Sequence, residues 1–193
     1  MLIIGLTGSL ATGKSSVAGI FRRKGAKVID ADRLAHRLLE PRGACYASVI
    51  RVFGKDILKG KRIDRKKLAG AVFNSKRKLK QLEAIVHPRV GQLIKEELKR
   101  YKNRAKIVVL EVPLLFEAGL DRLADCVVVV KANQAIQLRR ATRKLGISRA
   151  EALRRIKAQM PLRTKIRLAD FIIDNNGTKN QTEKQVNALW QKL

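Results

Sequence analysis

The chain has 193 residues with 46% hydrophobic content, enough for one α/β-sized core, and only 4% aromatic residues, so that core is aliphatic. Forty-three lysines and arginines against 16 acidic residues give a net charge of +27, a field that draws in polyanions. No apolar run reaches the 18 or so residues of a membrane span, no ordered signal sequence opens the chain, and two distant cysteines, Cys45 and Cys126, lack metal spacing, so membrane insertion, export and a zinc site are not expected.

The first element is LIIGL, a nearly all-apolar run suited to a strand buried on both faces. A helix is predicted from Lys14 to Lys24, with Val17, Ile20 and Phe21 at helical spacing and Gly25 as its stop. KVIDAD, 27–32, reads as a second strand ending in carboxylates. Residues 33–104 are mostly helical in pattern, with His87-Pro88 as a predicted helix boundary. KIVVLEVP at 106–113 and DCVVVVKA at 125–132 supply two more strands. A basic helical stretch at 133–168 follows, broken near Gly146 and at Pro161. DFIID at 170–174 is a fifth strand, and a closing helix covers 178–192 with Thr178 as its cap. Strands alternating with helices predict a parallel sheet covered on both faces, and the long segment between the second and third strands reads as an inserted lobe.

Between the first strand and first helix stands Gly8-Ser9-Leu10-Ala11-Thr12-Gly13-Lys14-Ser15, which fits GxxxxGK[ST] at every fixed position. Glycines let the backbone curl so that its N–H groups converge on a phosphate, and the new helix adds its positive end. The Lys14 ammonium is placed to reach β and γ phosphates, and the Ser15 hydroxyl to ligate Mg²⁺. In open parallel sheets ligands sit beyond the carboxyl ends of the strands, where Asp30, Asp32 and Glu111 fall. Asp32 reads as a base or orienter for an attacking hydroxyl. Asp30 reads as a cap or turn acceptor. Glu111 fits two roles equally, holding water on a metal or standing as a satisfied buried acid. Arg139 and Arg143 share a helix face and can clamp phosphate oxygens, as a lid over the nucleotide would. Arg65 fits an anionic substrate or a helix start, and His36 and His87 each read as structural when taken alone.

The chain resembles the dephospho-CoA kinase family through GLTGSLATGKSS (5–16), VIDAD (28–32), FGKDIL (53–58), IDRKKLAGAVF (63–73), LEAIVHPRV (82–90), VPLLFEAGL (112–120), RRATR (139–143), RIKAQM (155–160) and ADFIIDNNG (169–177), in the family's order. The resemblance implies a P-loop NTPase fold, a three-layer α/β/α arrangement on a five-stranded parallel sheet. Its core would be 1–32, 105–132 and 169–193, with a helical coenzyme-binding insertion over about 33–104 and a lid over about 133–168. It implies transfer of the γ-phosphoryl of ATP to the 3′-hydroxyl of dephospho-CoA with Mg²⁺. By that likeness Asp32 is the catalytic base, aided by Lys14, Arg139 and Arg143, with Arg140 not separable from the other two. Gly8 to Ser16 and Asn175 bind ATP, Ser15 also binds the metal, and Arg65 and His87 serve the acceptor with Asp32. Two departures stand out: SLATGKSS where the family often has GIGSGKST, and Glu111 where it often carries Asp.

A nucleoside monophosphate kinase on the same scaffold is the alternative enzyme reading. A nucleic-acid-binding P-loop protein is the alternative from the charge, opposed by the scarcity of aromatics for base stacking. Nucleic acid is therefore not an expected partner; a cytoplasmic monomer or small homo-oligomer is.

Overall fold

The computed structural model describes all 193 residues. In chain order the elements are β1 (Leu2–Thr7), α1 (Lys14–Arg23), β2 (Lys27–Asp30), α2 (Ala31–Leu39), α3 (Tyr46–Phe53), β3 (Leu58–Lys59), β4 (Arg62–Ile63), α4 (Arg65–Phe73) and α5 (Lys76–Tyr101). They continue with β5 (Ile107–Glu111), β6 (Cys126–Lys131), α6 (Gln134–Leu145), α7 (Arg149–Lys157), α8 (Leu162–Arg167), β7 (Phe171–Asp174) and α9 (Lys179–Trp190). The chain divides into two compact units, one of residues 1–30 and 98–193 and the other of residues 31–97.

The first unit is built on a five-stranded sheet in the order β2-β5-β1-β6-β7, parallel throughout. This is the α/β/α architecture expected of a P-loop fold. The strands are apolar along their length because both faces are covered. Ile4, Leu6, Val109, Val128 and Val130 are fully buried, and against them pack Val17, Ala18 and Phe21 of α1 with Val186 and Leu189 of α9. Trp190 closes this layer, its ring 6.2 Å from that of Phe21. Parallel strands bring their carboxyl ends to one edge, and β1, the central strand, runs there directly into the glycine-rich loop. The cap on α9 is as predicted: the Thr178 hydroxyl accepts from Gln181 N–H while the Gln181 side chain accepts from Thr178 N–H, a reciprocal capping box.

The second unit is helical, with one small hairpin that the sequence pattern did not predict. Leu58 pairs with Ile63 and Lys59 with Arg62, leaving Gly60-Lys61 as a two-residue turn that Gly60 permits at φ 59°. Strands of two residues are too short to show alternation. The predicted boundary at His87-Pro88 is corrected: both lie inside the 26-residue α5. A proline removes one helix hydrogen bond and costs about 3 kcal/mol in a helix interior. Here it sits on the exposed side, while Val86, Val90, Ile94 and Leu98 recur every fourth residue as a buried stripe. Burying such side chains is worth roughly 1.5–3 kcal/mol each, which outweighs the proline. A second correction concerns 27–32, read as strand throughout: β2 ends at Asp30 and α2 begins at Ala31, so Asp32 is in the first turn of a helix. Both cysteines are free thiols, pushed above the ordinary thiol range chiefly by burial. No helix is long and apolar enough to cross a membrane.

Candidate functional site

The glycine loop is shaped by contacts that a side chain would break. Gly8 has φ 152°, and a Cβ there would lie 2.4 Å from the Val130 carbonyl oxygen. Gly13 has φ 100°, and a Cβ there would lie 2.0 Å from Asn175 Nδ2. Ala11 also takes a left-handed conformation, φ 56°, which costs an L-residue about 1–2 kcal/mol unless its surroundings hold it. No side chain caps α1; the Ser16 and Val17 N–H groups donate to the Gly13 carbonyl at 3.0 and 3.2 Å, and the positive end of the helix lies at the loop. The Lys14 ammonium bridges the loop, donating to the carbonyls of Gly8 at 3.2 Å and Ser9 at 3.1 Å.

Hard oxygen donors meet beside this loop. Ser15 Oγ donates to Glu111 Oε1 at 2.6 Å, and Glu111 is 7% exposed at the end of β5. In the sheet register Glu111 stands opposite Asp30 on one side and Leu6 on the other. Glu111 is thus buried and accepts from the hydroxyl for which the sequence predicts a metal role. No cluster of three or more His, Cys, Asp or Glu side chains could hold a metal ion. A hydroxyl with one carboxylate instead suits Mg²⁺, which keeps several waters and takes phosphate oxygens as ligands.

The far side of the loop is fastened by Asn175, just past β7. Its Nδ2 donates to the Thr12 carbonyl at 2.7 Å and its Oδ1 accepts from the Thr182 hydroxyl at 2.9 Å. Arg140 of α6 donates to the same Thr12 carbonyl at 3.3 Å and to the Asn175 carbonyl at 3.0 Å. Arg140 is thus separated from its neighbours: Arg139 and Arg143 lie exposed on α6, while Arg140 reaches the loop. The sequence pointed to a clamping pair four apart, but α6 turns the residue between them inward.

The near side is held by Gln159, which follows α7 and was assigned no role from the sequence. Its Oε1 accepts from Ser9 Oγ at 3.2 Å and Leu10 N–H at 3.0 Å. Next to it, Met160 N–H donates to Glu117 Oε1 at 2.9 Å. The same oxygen pairs at 2.9 Å with the ammonium of Lys165, a lysine with no solvent exposure. Lys165 also donates to the Pro113 carbonyl at 2.6 Å, which accepts in addition from the Thr7 hydroxyl at 3.1 Å. Burial pushes the Lys165 pKa below the ordinary lysine range, and Glu117 pulls it partly back. A buried lysine within a run of exposed ones is invisible to a charge pattern.

The remaining predicted residues belong to the second unit. Asp32 is exposed in the first turn of α2. Arg65 is the first residue of α4, exposed, and the cap of that helix is Asp64, whose carboxylate accepts from Lys66 and Lys67 N–H. Those backbone bonds, the larger from Lys67, hold the Asp64 pKa below the ordinary carboxylate range. His87 is half-buried in the middle of α5.

The sequence profile of the dephospho-CoA kinase family matches residues 2–181. A dephospho-CoA kinase of Carboxydothermus hydrogenoformans is 44% identical over 192 residues, covering 98% of this chain and 93% of its own. Among solved structures, TT1252 from Thermus thermophilus is 38% identical with a TM-score of 0.82, covering 100% of this chain and 97% of its own. A dephospho-CoA kinase from Campylobacter jejuni is 31% identical with a TM-score of 0.71, covering 98% and 96%.

Proposed function

The chain belongs to the dephospho-CoA kinase family, and from that premise we propose how it transfers the γ-phosphoryl group of ATP to the 3′-hydroxyl of dephospho-CoA. The observation that carries the reading is the loop itself: a helix start with no side-chain cap, the Lys14 ammonium and the Ser15–Glu111 pair, gathered at the carboxyl end of the central strand. The family match supports dephospho-CoA as acceptor over a nucleoside monophosphate.

In this reading the loop from Gly8 to Ser16 binds the triphosphate through backbone amides other than that of Leu10, which Gln159 holds, and Lys14 leaves its two loop carbonyls to neutralise phosphate oxygens. Ser15 and Glu111 would hold Mg²⁺, Ser15 through its hydroxyl and Glu111 through that hydroxyl or a bound water. When bound, the ion neutralises charge building on the phosphates. Asp32 accepts the proton of the acceptor hydroxyl, and Arg65 and His87 contact the acceptor's own anionic and polar groups. Arg139 and Arg143 are exposed on α6, long enough and charged enough to meet transferred phosphoryl oxygens as lid residues. Asn175 acts for ATP by shaping the loop through Thr12. The helical insertion at about 33–104 serves the acceptor, and the stretch at about 133–168 serves as the lid. A cytoplasmic setting agrees with two free thiols.

The test is an acceptor panel. With ATP and Mg²⁺, phosphorylation of dephospho-CoA should exceed that of AMP, CMP and UMP by orders of magnitude in kcat/KM. Preference for any of the three nucleotides would overturn the reading.

A further inference from the structure

Beyond the residues that meet ATP directly, we propose that Gln159 is a positioning residue for the phosphate loop, locking its apex in a shape able to receive a triphosphate. The inference rests on the kinase reading above for the identity of the ligand. The Leu10 N–H can only donate, so the group facing it must be the amide oxygen of Gln159, and the same oxygen takes the Ser9 hydroxyl. These two donors immediately precede Ala11, whose left-handed backbone needs support from its surroundings. On the other side of Ala11, the Thr12 carbonyl is held by Asn175 and Arg140. The strained residue is therefore clamped from both flanks by side chains that come from the 140–175 region of the chain.

Gln159 is itself fixed. Its own N–H donates to Ile156 at the end of α7, and its neighbour Met160 is tied to Glu117. Glu117 is paired with the fully buried Lys165, which grips Pro113, and Pro113 in turn accepts from Thr7 at the foot of the loop. This closes a circuit from loop apex to loop base through two other segments. These contacts join the loop apex, α8 and the loop base in one continuous network.

The choice of an amide is informative. A carboxylate would accept the same two bonds, and more strongly, but would set a negative charge beside the triphosphate. Glutamine offers the acceptor without the charge. The two requirements can be pulled apart by substitution, which a purely structural role for Gln159 would not allow.

Wild type, Gln159→Leu and Gln159→Glu are compared with Mg²⁺ present, by melting with and without ATP and by steady-state kinetics with each substrate varied. Gln159→Leu should raise the KM for ATP about tenfold, one lost positioning interaction, with the KM for dephospho-CoA moving less than twofold. Gln159→Glu should melt within about 2 °C of wild type when ATP is absent, yet lose at least as much ATP affinity as the leucine variant. Wild-type ATP affinity in both variants overturns the inference. So does a loss of affinity in Gln159→Glu that only follows a fallen melting temperature. A wild-type protein that binds ATP but transfers nothing to dephospho-CoA would sink the kinase reading instead, while the ATP-melting comparison would still decide on Gln159.

Discussion

Replacing Lys165 by methionine keeps the volume of the side chain and removes one charge from a buried pair. Its ammonium has no solvent exposure and two strong contacts, Pro113 O at 2.6 Å and Glu117 Oε1 at 2.9 Å. Removing one partner of a buried pair costs roughly 3–5 kcal/mol, because the other charge is left behind. Glu117 keeps 21% of its side chain exposed and retains the Met160 N–H, which points to the low end, about 3 kcal/mol. For a chain of this size each kcal/mol shifts the melting temperature by about 2–4 °C, so Lys165→Met should melt about 6–12 °C lower. Lys165→Met with Glu117→Leu should recover at least half of that loss, since replacing both members by apolar groups is often neutral. Calorimetry or urea unfolding at neutral pH measures both.

The pH dependence gives a second handle on the same pair. Burial lowers the folded-state pKa of Lys165 below that of an unfolded lysine. Between those two values the unfolded chain binds more protons, so this group makes stability rise with pH. The stability advantage of wild type over Lys165→Met should therefore widen as pH rises toward the ordinary lysine value of about 10.4. A Lys165→Met protein within 1 kcal/mol of wild type, or an advantage that shrinks with rising pH, would refute the argument.

Asp32→Asn should lower kcat by about 10²–10⁴, the usual worth of a general base, with ATP binding retained; normal turnover would remove Asp32 from the chemistry. Glu111→Gln keeps a polar partner for Ser15 and deletes the charge, so the Mg²⁺ concentration for half-maximal activity should rise about tenfold or more; an unchanged requirement would make Glu111 a structural acid only. Gly13→Ala places a methyl 2.0 Å from Asn175 Nδ2 at a φ of 100°, so ATP-induced thermal stabilisation should disappear; a variant still stabilised by ATP would show that the loop has slack the geometry does not suggest.

Much of this was legible from residue order alone. The glycine loop, the five apolar strands, the breaks near Gly146 and at Pro161 and the Thr178 cap all follow from local rules, because hydrophobic period, glycine and capping residues act within a few positions. What escaped depends on distant partners. Pro88 is carried through α5 by a buried stripe whose value comes from packing. Arg140 cannot be told from Arg139 and Arg143 without knowing which side of α6 meets the loop. Gln159, Glu117 and Lys165 are ordinary polar residues until the fold pairs Gln159 with Ser9, Met160 and Lys165 with Glu117, and Lys165 and Thr7 with the Pro113 carbonyl. The loop's left-handed Ala11 is likewise a consequence of contacts rather than of alanine's own preference.

In the proposed mechanism the loop after β1 delivers a phosphoryl group to the ribose 3′-oxygen of dephospho-CoA. Its most direct test is ³¹P NMR of the product formed from dephospho-CoA, ATP and Mg²⁺ by the purified protein, with Lys14→Ala as control. One new 3′-phosphomonoester resonance should appear, stoichiometric with ADP and lost in the control. Phosphate at another position, or ADP formed with no phosphorylated acceptor, would contradict it.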